Sequence, residues 1–286
     1  MASPALAGKS ELVDLFYKPN QNNLASITTI SQNKATYTDG SNNYVEITGQ
    51  IYDQAFQYGL TNYLTLGLSG SYVDFEAKDK GFGTQYELDG FTNPKIDLNY
   101  RLPIISRTIA DVNFGYEIDA LESDRNDDDV ASGASIFDLG LRFGKRKGVF
   151  SYAVGGSLIY TAETRYTDVS GNFVNLDPTL DFNLTAEGQY KINDQFVLDA
   201  AISYTDKDNA DFEINSGTAS GTVSGGDETN FAVKLSYVIK PEKVVVGALF
   251  EKTEISDISN VDGMSTLLNE TDRQDDEIGL FAKFQF

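Results

Sequence analysis

Hydrophobic and polar residues alternate one by one along most of the chain. Between Lys95 and Leu102, every second residue is apolar and the residues between them are polar or charged. Neighbouring side chains of a β-strand point to opposite faces, so this segment would have one apolar and one polar face. The same alternation recurs in the segments 111–118, 137–143, 180–187 and 231–237. The pattern therefore predicts β-strands with two chemically different faces.

About twelve segments follow this pattern, each close to the roughly nine to eleven residues that a tilted strand needs to cross a bilayer. The predicted strands are 24–37, 43–58, 63–75, 93–102, 108–119, 135–145, 149–161, 179–191, 196–205, 229–239, 244–253 and 276–286. The first of them is rich in Ser and Thr, and its two faces are poorly separated. No part of this region keeps the 3.6-residue period of an amphipathic helix, so the predicted fold class is all-β.

Short and long connections alternate between the predicted strands. The short ones, which contain Pro, Asn or Gly, are 60–62, 103–106, 146–148, 193–195 and 241–243. The long, polar ones lie near 38–42, 76–92, 120–134, 162–178, 206–228 and 254–275. An up-and-down antiparallel meander of this kind places its short turns and both termini at one end. We therefore predict a transmembrane β-barrel over 24–286, with periplasmic turns and termini and extracellular loops.

Two soluble folds also contain alternating strands. A β-sandwich would show Greek-key crossovers and turns of mixed length, and a lipocalin-like barrel would turn its apolar side chains inward. Aromatic residues on the apolar face near strand ends favour the membrane barrel, because they are typical of girdles at a lipid interface. These residues, nearly all beside short turns, are Tyr58, Tyr63, Tyr100, Phe143, Phe150, Tyr190, Phe196 and Tyr237.

The last strand carries a second sign of a membrane barrel. Ile278–Phe286 is an amphipathic segment whose final residue is aromatic. It resembles the terminal recognition strand of Gram-negative outer-membrane β-barrels, which implies a porin-like channel handled by the barrel-assembly machinery through Phe286. Gln57–Gly67 and Asn93–Leu102 also resemble, faintly, barrels described as phenol-degradation meta-pathway transporters.

The composition excludes several classes of function. With 22 Lys and Arg against 43 Asp and Glu, the net charge of −21 would repel a nucleic acid. The chain has no Cys for disulfides or thiolate metal sites, and no His, the commonest general base and metal ligand. Paired carboxylates can hydrolyse glycosides, but nothing singles out one pair. We therefore predict no enzyme, no cofactor and no metal site.

Residues 1–23 precede the alternating region and do not share its pattern. Ser3–Ala7 is similar to the small-residue end of a secretory signal, and Ser10–Lys18 could form two helical turns that end at Pro19. The segment could be a periplasmic or pore-inserted plug. The expectation we favour is a frayed or loosely docked terminus.

If the apolar face meets lipid, the opposite face lines the barrel interior. The predicted pore-lining residues are Glu46, Lys95, Asp97, Arg101, Asp111, Glu117, Asp138, Arg142, Asp181, Glu187, Asp199, Lys234, Glu251 and Lys283, together with Glu277. Acidic residues outnumber basic ones in this set, so a hydrated lumen would favour cations. Alternatively, the charges pair across strands and fill the lumen, because a barrel of about twelve strands lies between filled and open ones.

One acidic loop invites comparison with a calcium site. Oxygen ligands alternate at Asp124, Asn126 and Asp128. The loop lacks the Gly and the final bidentate Glu of an EF-hand, so we expect a solvated loop. Divalent cations could still bridge it to lipopolysaccharide phosphates.

The lead hypothesis is a monomeric channel of the bacterial outer membrane, in contact with lipid and lipopolysaccharide. Small hydrophilic solutes, with cations preferred, would diffuse through it passively. The alternatives are an autotransporter-type translocator and a filled structural or adhesion barrel that acts through its extracellular loops. Uptake of hydrophobic compounds would need a lateral opening or an apolar lumen, whereas the predicted inward rows are polar.

Overall fold

A computed structural model describes residues 11–39, 44–80, 83–103, 108–120, 133–167, 173–215, 219–256 and 270–286. The strands are β1 (Leu24–Asp39), β2 (Tyr44–Gly59), β3 (Leu64–Asp79), β4 (Thr84–Phe91), β5 (Lys95–Arg101), β6 (Thr108–Glu117), β7 (Ile136–Lys147), β8 (Phe150–Thr161), β9 (Thr164–Thr167), β10 (Phe173–Leu176), β11 (Thr179–Lys191), β12 (Phe196–Asp206), β13 (Ala210–Ile214), β14 (Ala219–Val223), β15 (Asp227–Lys240), β16 (Val244–Ser256) and β17 (Glu270–Gln285). Over these ranges, no helix is long and apolar enough to cross a membrane.

The main sheet closes on itself as a barrel of twelve antiparallel strands. Each strand pairs with its neighbour in the wall, and β1 closes the ring by pairing with both β2 and β17. β4 and β5 share one place in the wall, because both pair with β3 on either side of residues 92–94. All twelve predicted strands are present, so the predicted up-and-down barrel is confirmed.

The two ends of the barrel chain meet where the short turns lie. Leu24 and Phe286 are joined by hydrogen bonds, and the Phe286 N–H donates to the Leu24 oxygen over 2.8 Å. We call this the short-turn end and the opposite side the long-loop end. The described part of the predicted 120–134 loop stops at residue 120 and resumes at 133, so Asp124, Asn126 and Asp128 lie outside the described residues.

At the long-loop end, more residues lie in β-strands than the alternation predicts. β3 ends at Asp79 instead of 75 and β17 begins at Glu270 instead of 276, and a second sheet forms in the order β14-β13-β10-β9 from segments predicted as polar loops. Two apolar side chains of this small sheet, Val174 and Phe212, are buried. Short strands that bury only one or two apolar residues carry too little periodicity for the sequence to reveal them.

The two faces of the wall differ as the alternation predicts. Large apolar side chains on the outer face remain exposed, for example Leu139 at 54 % and Leu184 at 49 %. Exposed aliphatic side chains in such numbers mark a surface that meets lipid. Aromatic pairs lie near both ends: Phe150–Tyr190 and Phe196–Tyr237 by the short turns, and Tyr116–Phe137 and Tyr72–Phe91 towards the long loops. The sequence indicated mainly the first of these two girdles.

Candidate functional site in the barrel lumen

The inner face of the wall carries nearly all of the predicted pore-lining residues. Residues directly opposite each other on paired strands share a face. The strand pairings place Lys95, Asp97, Arg101, Asp111, Glu117, Asp138, Arg142, Asp181, Glu187, Asp199, Lys234, Glu251, Glu277 and Lys283 on the inner face. The lumen is therefore lined by charge over most of its circumference.

Glu46 is the exception, because it lies on the outer face of β2. It stands opposite Thr36 of β1 and Lys78 of β3. Its carboxylate accepts from Lys80 at 2.9 Å and lies 3.5 Å from Lys34. The prediction that Glu46 lines the lumen does not match this placement. Its neighbours Val45 and Ile47 are apolar but face inward, so the alternation assigns Glu46 to the wrong face.

Residues 11–23 lie in the lumen at the short-turn end, and we call them the luminal segment. Leu12 and Phe16 are each 1 % exposed. The segment forms two single turns, closed by hydrogen bonds from the Asp14 N–H to the Glu11 oxygen and from the Tyr17 N–H to the Asp14 oxygen. Over the described residues 11–18 these turns do not continue into a helix, and their contacts with the wall are closer than the loosely docked terminus that we expected.

Polar side chains of the wall hold the backbone of the luminal segment. Arg101 Nη2 of β5 donates to the Phe16 oxygen over 2.9 Å, and Arg142 Nη2 of β7 donates to the Leu15 oxygen over 3.1 Å. Gln189 of β11 donates to the Val13 oxygen and accepts from the Leu15 N–H. These bonds replace water on backbone groups that a short irregular segment would otherwise leave unpaired.

Side chains of the luminal segment also reach the wall. Tyr17 donates its hydroxyl proton to Gln285 over 2.8 Å, and the Lys283 ammonium lies 3.8 Å from the centre of the Tyr17 ring. Asp14 pairs with Arg146 at 2.8 Å, and Leu12 packs with Val238 and Val245. The segment is thus fixed to strands on several sides of the barrel rather than to one wall.

Asp111 is the centre of a compact charge cluster at this end. Its side chain is 2 % exposed, and its carboxylate lies 2.9 Å from Arg101, 3.6 Å from Lys18 and 4.0 Å from Arg142. Arg142 pairs in addition with Glu187. Burial lowers the pKa of Lys18 to about 8, although Asp111 favours its charged form. Asp111 is therefore a structural counter-ion and not a group that faces passing solutes.

Charge is distributed unevenly along the barrel axis. The cations Arg101, Arg142 and Lys283 lie towards the short-turn end, around the luminal segment. Asp138, Asp181, Glu251 and Glu277 lie on the inner face nearer the long loops. The densest ion-pair cluster is thus at the short-turn end, and the other half of the lumen has an excess of carboxylates beside pairs such as Arg273–Asp275.

A cavity in the acidic half was not predicted from the sequence, and we call it the long-loop cavity. Its volume is about 480 Å³. The apolar part of its lining is Ala35, Tyr37, Ile47, Ile51, Val73 and Phe75, and the polar part is Asn33, Asp53, Ser71, Thr92, Arg273, Asp275 and Glu277. Ile47, Ile51, Val73 and Phe75 are inward apolar residues in β2 and β3, which interrupt the polar inner face. The inner face is therefore less uniformly polar than we predicted.

The barrel resembles known outer-membrane proteins in three dimensions. An outer membrane channel from Pseudomonas putida F1 superimposes with a TM-score of 0.65 and 15 % identity, over 100 % of both chains. The NanC porin gives a TM-score of 0.52 and 10 % identity, over 88 % of this chain and 98 % of that one. The translocator domain of the autotransporter NalP from Neisseria meningitidis gives 0.55 and 10 %, over 92 % and 89 %.

These similarities establish the architecture. The chain has the fold of a bacterial outer-membrane β-barrel. No protein-family model and no curated protein matches the sequence. Since channels and a translocator share this fold at such low identity, function has to be argued from the lumen itself.

Proposed function

We propose that the protein is an outer-membrane channel through which small hydrophilic solutes diffuse passively, with a preference for cations. The observation that carries this proposal is the charged inner face, which lies behind an outer face of exposed apolar side chains. Charged side chains inside a membrane are costly unless they pair or line water. Several carboxylates of the long-loop half lie outside the Asp111 cluster, which supports a water-filled path there.

The charge distribution supports a preference for cations. A solute that enters from the long-loop end would first meet the acidic half of the lumen. Rings of carboxylates raise the local concentration of cations in such pores. The luminal segment would narrow the path beyond this point, and small openings make selectivity depend strongly on wall charge.

The proposal also includes the orientation of the barrel in the membrane and the molecules that it contacts. By the usual layout of such barrels, the short-turn end and both chain ends face the periplasm, and the long loops face outward. The apolar outer face would contact membrane lipid and lipopolysaccharide, with the barrel as a monomer. Phe286 is exposed at the short-turn end, where the assembly machinery could bind it.

A translocator would have to clear residues 11–23 from the lumen, and the many bonds of these residues to the wall argue against a translocator.

Single-channel recording in planar bilayers tests the proposal directly. We expect small, steady current steps in potassium chloride and a reversal potential that indicates preference for potassium. If correctly folded protein produces no current, the result would contradict a channel and favour a filled barrel that acts through its loops.

Neutralising two carboxylates of the lumen should weaken the cation preference. Asp97 is 46 % exposed and Asp181 is half-buried, and both lie on the inner face. We expect D97N combined with D181N to lower the potassium-to-chloride permeability ratio by about a factor of two in dilute salt, where screening is weak. E46Q is the matched control, because Glu46 lies on the outer face and its neutralisation should leave the ratio unchanged. Identical reversal potentials for all three proteins would show that the two aspartates do not line the path.

A further inference from the structure

The long-loop cavity has two chemically different walls. On one side, Ile47, Ile51, Val73 and Phe75 of β2 and β3 form an apolar surface inside the lumen. On the other side, β17 contributes Arg273, Asp275 and Glu277, and Asp53 lies below the apolar surface on β2. A cavity of about 480 Å³ falls within the range of roughly 300 to 1,000 Å³ that small-molecule sites occupy.

The apolar wall is built by close packing and is not a chance exposure of single residues. Gly49 lies beside Phe75, and a Cβ atom at Gly49 would come within 2.4 Å of the Phe75 ring. The absence of a side chain at Gly49 therefore lets this ring lie flat against β2. Ile51 stands directly opposite Val73 across the same two strands. Apolar side chains held in place in this way give a solute a preformed surface.

The charged side of the cavity has an excess of carboxylates. Arg273 binds Asp275 through two hydrogen bonds of 2.9 and 2.5 Å, and its guanidinium stacks on Tyr37 at 5.0 Å. This pairing neutralises both groups. Asp53 accepts from Ser71 over 2.5 Å, and Glu277 stands opposite Glu251 of β16. Within the described parts of the chain, no Lys or Arg lies within 4 Å of the carboxylates of Asp53 or Glu277.

We propose that the long-loop cavity binds small organic cations that combine one protonated amine with an aromatic or branched apolar body. The amine would lie between Asp53 and Glu277, where it finds carboxylate acceptors, and the apolar body would cover Ile51, Val73 and Phe75. An anion would meet two carboxylates that have no Lys or Arg of the described residues within 4 Å. An inorganic cation would leave the apolar wall in contact with water. The inference deepens the proposed channel function, because it names the class of solute that the lumen selects.

Calorimetric titration of the full chain in detergent micelles tests this proposal, with 2-phenylethylammonium as the probe. We expect saturable binding that is at least several-fold tighter than for ethylammonium, which lacks the ring, and for 2-phenylethanol, which lacks the charge. Micelles without protein correct for partition of the probe into detergent. D53N and E277Q should each weaken binding by about five- to tenfold, the size of one lost close charge interaction. V73T should weaken it less, because it alters only the apolar wall.

Asp276 provides the matched control, because it neighbours Glu277 in β17 and lies on the opposite face. D276N should bind the probe as the wild type does. Equal affinities for the ammonium and the alcohol, or equal affinities for E277Q and D276N, would overturn the proposal. The titration is independent of conduction: a barrel that binds the probe but passes no current refutes only the channel. A barrel that conducts but does not distinguish the three probes refutes only this inference.

Discussion

Replacing Asp111 by alanine is expected to loosen the luminal segment and to destabilise the barrel. In the wild type, the Asp111 carboxylate lies within 4 Å of Lys18, Arg101 and Arg142. Without it, three cations face each other in a buried site, and Lys18 and Arg101 lose their carboxylate partner. Removing one member of a buried ionic cluster typically costs about 3 to 5 kcal/mol, because the remaining charges are left uncompensated.

Two measurements check the D111A prediction. The midpoint of urea unfolding in detergent should fall, and chymotrypsin should gain access to the Phe16–Tyr17 and Tyr17–Lys18 bonds, which the wild type protects. D97A is the control, since Asp97 is an inner-face aspartate whose ion pair among the described residues is with the exposed Lys95, at 3.6 Å. It should cost less than about 1 kcal/mol, as exposed ion pairs do. Wild-type midpoint and protection in D111A would show that the cluster does not hold the segment.

The barrel could be predicted from the sequence because a membrane wall imposes the same rule on most of its strands. Lipid favours apolar residues at outward positions, and a hydrated or paired interior accepts polar residues at the others. Lys95–Leu102 shows this rule without exception, and the prediction for this segment agrees with β5 and the residue that follows it. The same regularity placed Asp138, Arg142 and Glu187 on the inner face correctly.

The rule fails where the inside of the barrel is not simply polar. Around Glu46 in β2, the apolar residues Val45 and Ile47 face inward, so the rule that apolar residues face lipid assigns Glu46 to the wrong face. The inward apolar residues Ile51, Val73 and Phe75 form the long-loop cavity for the same reason. A signal was available in β3, since its apolar residues shift from the even positions Leu64, Leu66 and Leu68 to the odd positions Val73 and Phe75.

The luminal segment escaped prediction for a different reason. Its fold depends on partners that are distant in sequence, such as Arg101, Arg142 and Gln189, and not on any local period. One feature of the sequence was consistent with docking, the apolar pair Leu12 and Phe16 in a segment that precedes the barrel. This feature does not specify where a short irregular chain lies.

These observations give the two ends of the lumen separate roles. The short-turn end is crowded, and its cations pair with carboxylates such as Asp111 and bind the protein's own backbone. The long-loop half is acidic and contains the cavity. A solute selected in the cavity would therefore have to pass the luminal segment. The site that selects the solute and the constriction that limits its size would then lie at different depths of the same path.

Replacing Phe16 by alanine should raise the single-channel conductance several-fold. The Phe16 ring fills the space against Gly144, where a Cβ atom would come within 2.4 Å of it. The guanidinium groups of Arg142 and Arg146 lie 4.9 and 5.2 Å from the ring centre. F16A removes this anchor and the volume of the ring, and it leaves two arginines without their aromatic partner, so the narrow part of the lumen widens. Widening a constriction increases conductance steeply, whereas wall residues on the outer face have no such effect.

Phe150 supplies the control for this prediction, because it is an aromatic residue near the short turns whose side chain is 56 % exposed on the outer face. F150A should conduct as the wild type does. Both variants can be checked for folding by their resistance to denaturation in cold detergent before recording. If F16A is folded and conducts like F150A, the luminal segment does not limit the path, and the narrowest point must lie elsewhere along the charged wall. If F16A alone conducts more, residues 11–23 set the size limit, and the acidic half above them is left to determine which solutes reach it.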